Sequence, residues 1–547
     1  MTRFGCDATT SICRRRRESF VHALVALETA GSHHFFQLFL GTLSGGFRCR
    51  RRSGRGHSTS RVLGRFRAPF ALTRVASASP MPPPPSAALA AELARLARVA
   101  EARESAAAGA SDDAAPYLAE VARRARAAHD VAARRAETLA SETPPRECVA
   151  RPVPRVHCAS LSLAAFRREY GAARSPVVIE GLGPHLTEDG ADGADLRWLR
   201  RRGATKKVAV TRDNAHVSST LSCADTDVLD LGTHLDRVLA LEAEELRRNR
   251  SSSERSTSAS PSPAAGTYLY DCAIPLKLPS LTQSLRVPRY FAHDFMQRTR
   301  LTHAFSASWP SLFVAAPGTQ SSTHVDQWTG NFWMAMVRGV KRWTLFHADD
   351  VPLLSPDYGR GTLDPAFPRL HEMERERRAH FEGGLSEEGS DEANRSSEAE
   401  DVFDASDAKK LGFVGAAGEG PHPLAPLARR WDVDLGPGEV LFVPGGFPHV
   451  VTNLGVTVSF AGNYVDESNL DAALRDLDLL GAKYGEGMRA THAAIDEVWF
   501  DPEDEVLVEE PLEPKKMVVR YEDYRGGGAA RWGAGDWGGC EEEEDDC

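Results

Sequence analysis

The stretch SSTHVDQWTGNFWMAMVRGVKRWTLF, residues 321 to 346, sets a histidine (His324) and an aspartate (Asp326) two residues apart, with a lysine (Lys341) just beyond a glycine turn. On a β-strand, residues two apart point to one face, so both side chains can project into a barrel interior while Val325 turns away. A metal site needs a further ligand. His449, in GEVLFVPGGFPHVVTNL, is the best placed, because it enters a strand directly after a Pro-Gly-Gly turn. Two imidazoles and one carboxylate on one side of a metal leave about three positions open, which suits ferrous iron that must take a cosubstrate and dioxygen. A structural zinc site would instead be closed by four protein ligands. A His-x-Asp pair alone is more often a hydrogen-bonded strand feature, and the aromatic strand and later hairpin around it are what make it a candidate.

Short β-rich runs supply the elements that must position these groups. SPVVIEGL, KKVAVTR, GTYLYD, SLFVAA, NFWMAMVRG, KRWTLFH, GEVLFVPGG, HVVTNL and TVSFAGNYV are separated by Gly and Pro turns. Many short strands between such turns predict a sandwich or barrel, hence a mainly β fold with flanking helices. Residues 86 to 141 are rich in Ala, Arg, Glu and Leu at helical spacing and predict two helices broken near GASDDAAP. SNLDAALRDLDLLGAKYGEGMRATHAAID predicts one or two closing helices over 471–500, followed by an acidic tail over 501–547 that reads as a solvated, disordered end. Segments near 246–265 (Arg and Ser rich) and 383–410 (Ser, Glu and Asp rich) read as disordered insertions into a domain spanning 151–470.

Residues 1 to 80 carry many Arg, no Lys and three acids (Asp7, Glu18, Glu28). That composition fits either a transit peptide or an over-extended start ahead of Met81. The first places the protein in a chloroplast or mitochondrion, the second in the nucleus or cytoplasm. Nine scattered cysteines form no CxxC pair, so no zinc finger or disulfide framework is expected. A formal charge of -10 and a pI near 6.0 give no overall attraction to nucleic acid, so direct nucleic-acid binding is not expected. The longest apolar runs fall short of the ~20 residues that a membrane-spanning helix requires, and the chain reads as soluble.

From FRREYGAARSPVVIEGL through VPRYFAHDF and WPSLFVAAPGTQSSTHVD to TVSFAGNYV, roughly residues 165 to 470, the sequence resembles the jumonji C family. These are iron(II)- and 2-oxoglutarate-dependent oxygenases built on a cupin-like double-stranded β-helix. The GxKRW turn after His-x-Asp is most similar to the small protein-hydroxylase members. The resemblance implies that His324, Asp326 and His449 hold the iron and that Lys341 binds the distal carboxylate of 2-oxoglutarate. Independently, Lys341, Trp343 and Leu345 share one strand face, beside the His-x-Asp strand as the sequence suggests. A buried ammonium there is costly unless an anion meets it. Ser321 stands three before the first ligand, where family members commonly carry a cosubstrate-binding hydroxyl. Thr323 is a further polar candidate before the ligand strand; two other family places, an Asn and a Thr, hold Met334 and Ala461 here, and Asn331 or Asn463 are the polar groups left to compensate.

Phe332, Trp333, Trp343 and Phe442 read as core, His347 as a weaker metal candidate, and His371 and His422 as loop residues. What the resemblance implies is hydroxylation of a protein side chain, by a monomer or homodimer, on a protein or peptide substrate that the acidic 383–410 segment could favour if basic. Demethylation of histone lysine or arginine uses the same chemistry and stays open. So do a non-catalytic binding module and, less favoured, a zinc-dependent cupin isomerase.

Overall fold

The computed structural model describes residues 86–140, 148–188, 196–211, 216–217, 226–251, 268–299, 308–370, 373, 422–500, 505–507 and 513–526. Two β-sheets face each other at its centre. The first has six strands in the order β1 (Arg151–Pro152), β13 (Arg430–Leu435), β12 (Lys341–Phe346), β15 (His449–Asn453), β10 (Gln320–Ser321) and β5 (His216–Val217). The second has seven: β2 (Arg155–His157), β3 (Val177–Glu180), β14 (Val440–Val443), β11 (Asn331–Arg338), β16 (Thr457–Tyr464), β9 (Ser311–Ala315) and β7 (Tyr268–Ala273). Two small antiparallel pairs complete the strands, β4 (Lys207–Thr211) with β6 (Thr226–Asp230), and β8 (Arg286–Pro288) with β17 (Val518–Arg520). The long strands are those read from the sequence, and the architecture is that of a cupin-like fold, although the sheets do not close into a continuous barrel.

The strand pleat divides the apolar residues between two faces. Phe332, Met334, Trp343, Leu345, Leu441, Val451 and Ala461 fill the space between the sheets. Trp333, Phe442 and Tyr464 point out of the second sheet and pack with Phe166 and Phe291. The aromatic group expected as one core is therefore split, and only Phe332 and Trp343 belong to the interior that holds the site.

The N-terminal hairpin forms as expected, with α1 (Ala87–Ala108) and α2 (Ala115–Leu139). Ser86 caps α1, its hydroxyl accepting from the Leu89 amide at 3.2 Å. In α2, Tyr117, Val121, Ala125, Ala128, Ala132 and Ala136 are buried at spacings of three and four, the stripe that a docked helix requires. Tyr117, Val121, Ala125 and Ala128 pack with Trp328, Tyr358 and the closing helix α5 (Leu470–Tyr484), which is followed by α6 (Glu486–Asp496), while Ala132 and Ala136 pack with Phe346, Leu353 and Leu354. The helix α3 (Leu196–Gly203) precedes β4, and α4 (Leu231–Ser251) follows β6 directly. Among the described residues no helix is long and apolar enough to cross a membrane.

Two expectations change. Residues 246–251, read as the start of an insertion, continue α4. The segment read as a solvated acidic end is partly built into the fold. Val518–Arg520 adds a strand to β8, and one helical turn, Tyr521–Tyr524, carries Tyr524 into the core. The short apolar run MVV carries β-branched strand formers, which the acidic composition of the tail hides. Residues 1–85, 252–265, 383–410 and 527–547 lie outside the described residues.

Tyr524 donates to Asp294 Oδ2 at 2.7 Å, while the Met296 and Val465 amides donate to Oδ1. Burial pushes the Asp294 carboxyl up to about 7, and these donors oppose the shift. Tyr524→Phe should therefore lower unfolding free energy by about 1 to 3 kcal/mol, read from urea denaturation, because the buried carboxyl loses a partner. An unchanged midpoint would mean that the C-terminal turn only rests on the surface.

Candidate metal centre

His324, Asp326 and His449 meet. Their ligand atoms all lie within 4.8 Å of one another, and among the described residues no other group of three or more His, Cys, Asp or Glu is so arranged. The two histidines are brought side by side by the backbone. The His324 amide donates to the His449 carbonyl at 3.1 Å and the His449 amide donates back at 2.8 Å, the two bonds of an antiparallel pair. Their rings stand 4.3 Å apart between centroids. His324 itself sits in an isolated bridge beyond β10, and Asp326 immediately precedes a 3-10 turn, Gln327–Thr329, without a side-chain capping bond, so the His-x-Asp segment is not the regular strand expected from spacing.

Each imidazole is fixed through its Nδ1. His324 Nδ1 lies 2.7 Å from the Ser322 carbonyl and His449 Nδ1 lies 2.9 Å from the Phe447 carbonyl. A carbonyl can only accept, so both Nδ1 atoms carry the proton and both Nε2 lone pairs are left for an ion. Burial pushes His449 down to about 4, keeping it neutral at pH 7. His324 Nε2 is 4.0 Å from Asp326 Oδ1. Two neutral imidazoles and one carboxylate, held with their lone pairs convergent, fit a divalent transition metal that keeps open positions.

Lys341 is fully buried on the inner face of β12, and its ammonium donates to the Tyr268 hydroxyl at 3.2 Å. It also lies over the Tyr268 and Phe313 rings at 5.2 and 5.3 Å. No carboxylate pairs with it among the described residues, and burial alone pushes its pKa down to about 7. A buried ammonium whose one hydrogen-bond partner is neutral can meet an anion through a charge-assisted bond, and a carboxylate is of the right chemistry. Its strand is not the neighbour of the His-x-Asp segment, as the sequence had suggested. β15 lies between them, pairing Lys341 with Asn453 and Leu345 with His449, because antiparallel crossing interposes the later strand.

The other polar positions separate. Ser321 is buried, and its hydroxyl oxygen accepts from the Val451 amide at 3.0 Å, leaving its hydrogen for a further acceptor. The buried Thr323 hydroxyl has no hydrogen-bond partner among the described residues. Asn331 is engaged in the fold, donating to Asp466 and Ser468 while accepting from the Gly445 amide. Asn463 lies on the same strand as Ala461, two residues on, with Phe332 as its register partner. Met334 and Ala461 are themselves register partners on neighbouring strands, both in the inner cluster. The two apolar replacements of family polar residues are thus one contiguous patch.

His347 is not among the three converging ligands and pairs with Asp349 at 3.3 Å. His422 bonds to Ser355, and His371 lies outside the described residues. Tyr268, the ammonium's partner, was not singled out from sequence. Its only signal is the alternation of tyrosines in GTYLYD, which places Tyr268 and Tyr270 two residues apart on β7.

A family model described as a cupin-like domain matches residues 163–470. Over 320 residues the chain is 24% identical to the bifunctional arginine demethylase and lysyl-hydroxylase psr-1 of Caenorhabditis briggsae, covering 58% of this chain and 63% of that protein. It is 23% identical over 320 residues to psr-1 of Caenorhabditis elegans, with 58% and 62% covered. Over 216 residues it is 26% identical to the arginine-specific demethylase JMJ22 of Arabidopsis thaliana, covering 40% and 34%. The chain therefore spans less than two thirds of the length of each of these relatives.

Lys341→Met should remove a buried charge and stabilise the ligand-free protein, by about 2 kcal/mol at neutral pH. The sign follows from linkage. The folded pKa near 7 lies below the free lysine value, so the unfolded chain binds more protons between about 7 and about 10.4, and wild-type stability rises with pH across that window. The Met variant should lose that slope. Chemical denaturation at three pH values checks both effects, and a destabilised variant would show that the ammonium already has a strong partner.

Proposed function

The chain belongs to the cupin-like domain family, and from that membership we propose that it is an iron(II)- and 2-oxoglutarate-dependent oxygenase that hydroxylates a side chain of a protein substrate. The observation that carries this reading is the pairing of an open His324, Asp326, His449 set with an unneutralised ammonium, Lys341, buried between the same two sheets. It is the conjunction that discriminates between chemistries. A closed structural metal site has no use for the lysine, and a non-catalytic module has no use for both.

When bound, iron(II) with 2-oxoglutarate and dioxygen supplies the oxidising power to hydroxylate a C–H bond, the cosubstrate leaving as succinate and carbon dioxide. His324, Asp326 and His449 would hold the metal. Lys341 would bind the cosubstrate's distal carboxylate, and Ser321 and Thr323 supply hydroxyls close to the ligand segment. Met334, Ala461, Trp343 and Phe332 present an apolar wall that keeps bulk water away from the reacting atoms. Neutral His449 and the Nδ1 bonds keep the ligands in a binding state across the physiological pH range.

A basic side chain is the substrate class of this reading. The acidic groups near the site do not decide it: Asp364 has its carboxyl pushed up by burial and by Asp476 and Asp326, while Arg124, 3.8 Å away, opposes the shift and pairs with both Asp364 and Asp476. The relatives named for arginine demethylation and lysyl hydroxylation agree with this class. Hydroxylation of an N-methyl carbon is the second reading, favoured by the same names.

Anaerobic addition of iron(II) and 2-oxoglutarate should produce a visible charge-transfer band, and admission of oxygen should release succinate. Both signals should vanish in His324→Ala and in His449→Ala. Lysine and methyl-arginine peptides then separate the readings by mass, a gain of one oxygen against the loss of a methyl group. Iron binding without the band would sink the assigned role of Lys341, and no iron binding at all would sink the oxygenase reading.

A further inference from the structure

The two halves of the metal centre are supported differently. His324 and His449 are locked by backbone pairing, whereas Asp326 leads straight into a turn whose residues Trp328 and Thr329 both adopt left-handed backbone, with φ of 57° and 54°. Side chains other than glycine rarely hold that conformation, and two in succession persist only where their surroundings impose it. Trp328 is buried against α2 and α5. The Thr329 carbonyl accepts from Asn469 Nδ2 at 2.9 Å, and its hydroxyl donates to Asp476 Oδ2 at 3.3 Å. The same carbonyl lies where a Cβ on Gly445 would sit, 2.0 Å from that position, so the turn also abuts the hairpin that delivers His449.

The other oxygen of Asp476 is held from outside the family-matched region. Arg124, on α2, donates from Nη2 to Asp476 Oδ1 at 2.5 Å and from Nη1 to the Leu363 carbonyl at 3.2 Å. Asp476 is buried on α5, so without Arg124 its charge has no cation to meet it among the described residues.

We propose that Arg124 is a positioning residue for the metal centre: its ion pair with Asp476 holds the left-handed Trp328–Thr329 turn, and that turn fixes Asp326 for coordination. This rests on the metal-site reading given above. It makes the N-terminal hairpin a working part of the site and not merely a cover over the core. Once the ion pair is removed, the turn relaxes towards ordinary backbone and the carboxylate of Asp326 leaves its place beside His324.

The test is a cobalt(II) titration of the full chain, followed by the visible absorption of the bound ion, with thermal melting of every variant alongside. Wild type should bind cobalt and His324→Ala should not. Arg124→Met should weaken cobalt affinity by at least roughly tenfold and change the shape of the absorption band, as loss of a group supporting a ligand does. Asp476→Asn, which keeps the shape of the side chain, should do the same, and Arg124→Lys should recover part of the affinity. Two controls separate positioning from general destabilisation. Leu96→Ala empties a buried site in α1, and Arg126→Met breaks an exposed pair with Glu104 on the same hairpin. Both should leave cobalt affinity within about twofold of wild type, the range left when no ligand-supporting contact is lost. The proposal is overturned if Arg124→Met and Asp476→Asn bind cobalt as wild type does, or if Leu96→Ala weakens binding equally. A wild-type protein that binds no cobalt overturns the metal reading itself, and this inference with it.

Discussion

Two backbone hydrogen bonds between His324 and His449 are the constraint on which the rest of the site depends. They set one residue of the segment beyond β10 opposite the first residue of β15, and in doing so put two imidazoles side by side. Since β15 also pairs with β12, the same register places Lys341 four residues along from Leu345, the partner of His449. A slip of one residue in this pairing would turn every one of these side chains to the opposite face. The candidate metal ligands and the buried lysine are therefore placed by a single register.

That register places a lysine where the fold gains nothing from it. The surrounding cluster of Phe332, Met334, Trp343 and Ala461 is apolar, and among the described residues the ammonium's one hydrogen-bond partner is a phenol. Proteins tolerate such a group when a ligand supplies what the fold withholds. The apolar Met334 and Ala461 pair sharpens the point. With family polar residues absent from both places, fewer protein donors remain for the proposed dicarboxylate, and a larger share of its binding would fall on Lys341 and the nearby hydroxyls.

Much of this was legible in the sequence, because the strongest signals were local. Strand alternation, the glycine turn before Lys341 and the Pro-Gly-Gly turn before His449 are short-range patterns, and the elements they predict are present. The helical hairpin was visible in its Ala-rich periodicity. What could not be read was which elements lie beside one another. That β15 stands between Lys341 and the His-x-Asp segment depends on strand order, and no local pattern encodes it. Asn331 looked available as a polar group, yet its amide is consumed by Asp466, Ser468 and Gly445, partners more than a hundred residues away. The strand at Val518–Arg520 was concealed by the acidic composition on both sides of it.

The difference between the two halves of the metal centre has a consequence for how such a site can vary. The histidine half is defined by hydrogen bonds between main-chain atoms, which depend little on side-chain identity, so it is carried along wherever the sheet forms. The aspartate half hangs from a turn whose backbone needs Trp328 buried, Asn469 and Asp476 in place, and Arg124 reaching across from α2. Of these, Arg124 and Asp476 lie beyond the residues that define the family. Changes in the flanking helices can therefore alter the carboxylate's position, and with it the geometry offered to a cosubstrate and to a substrate, while the sheets and both histidines stay as they are. On this fold, adjustment of reactivity has a physical route through the helices that pack against the Asp326 turn.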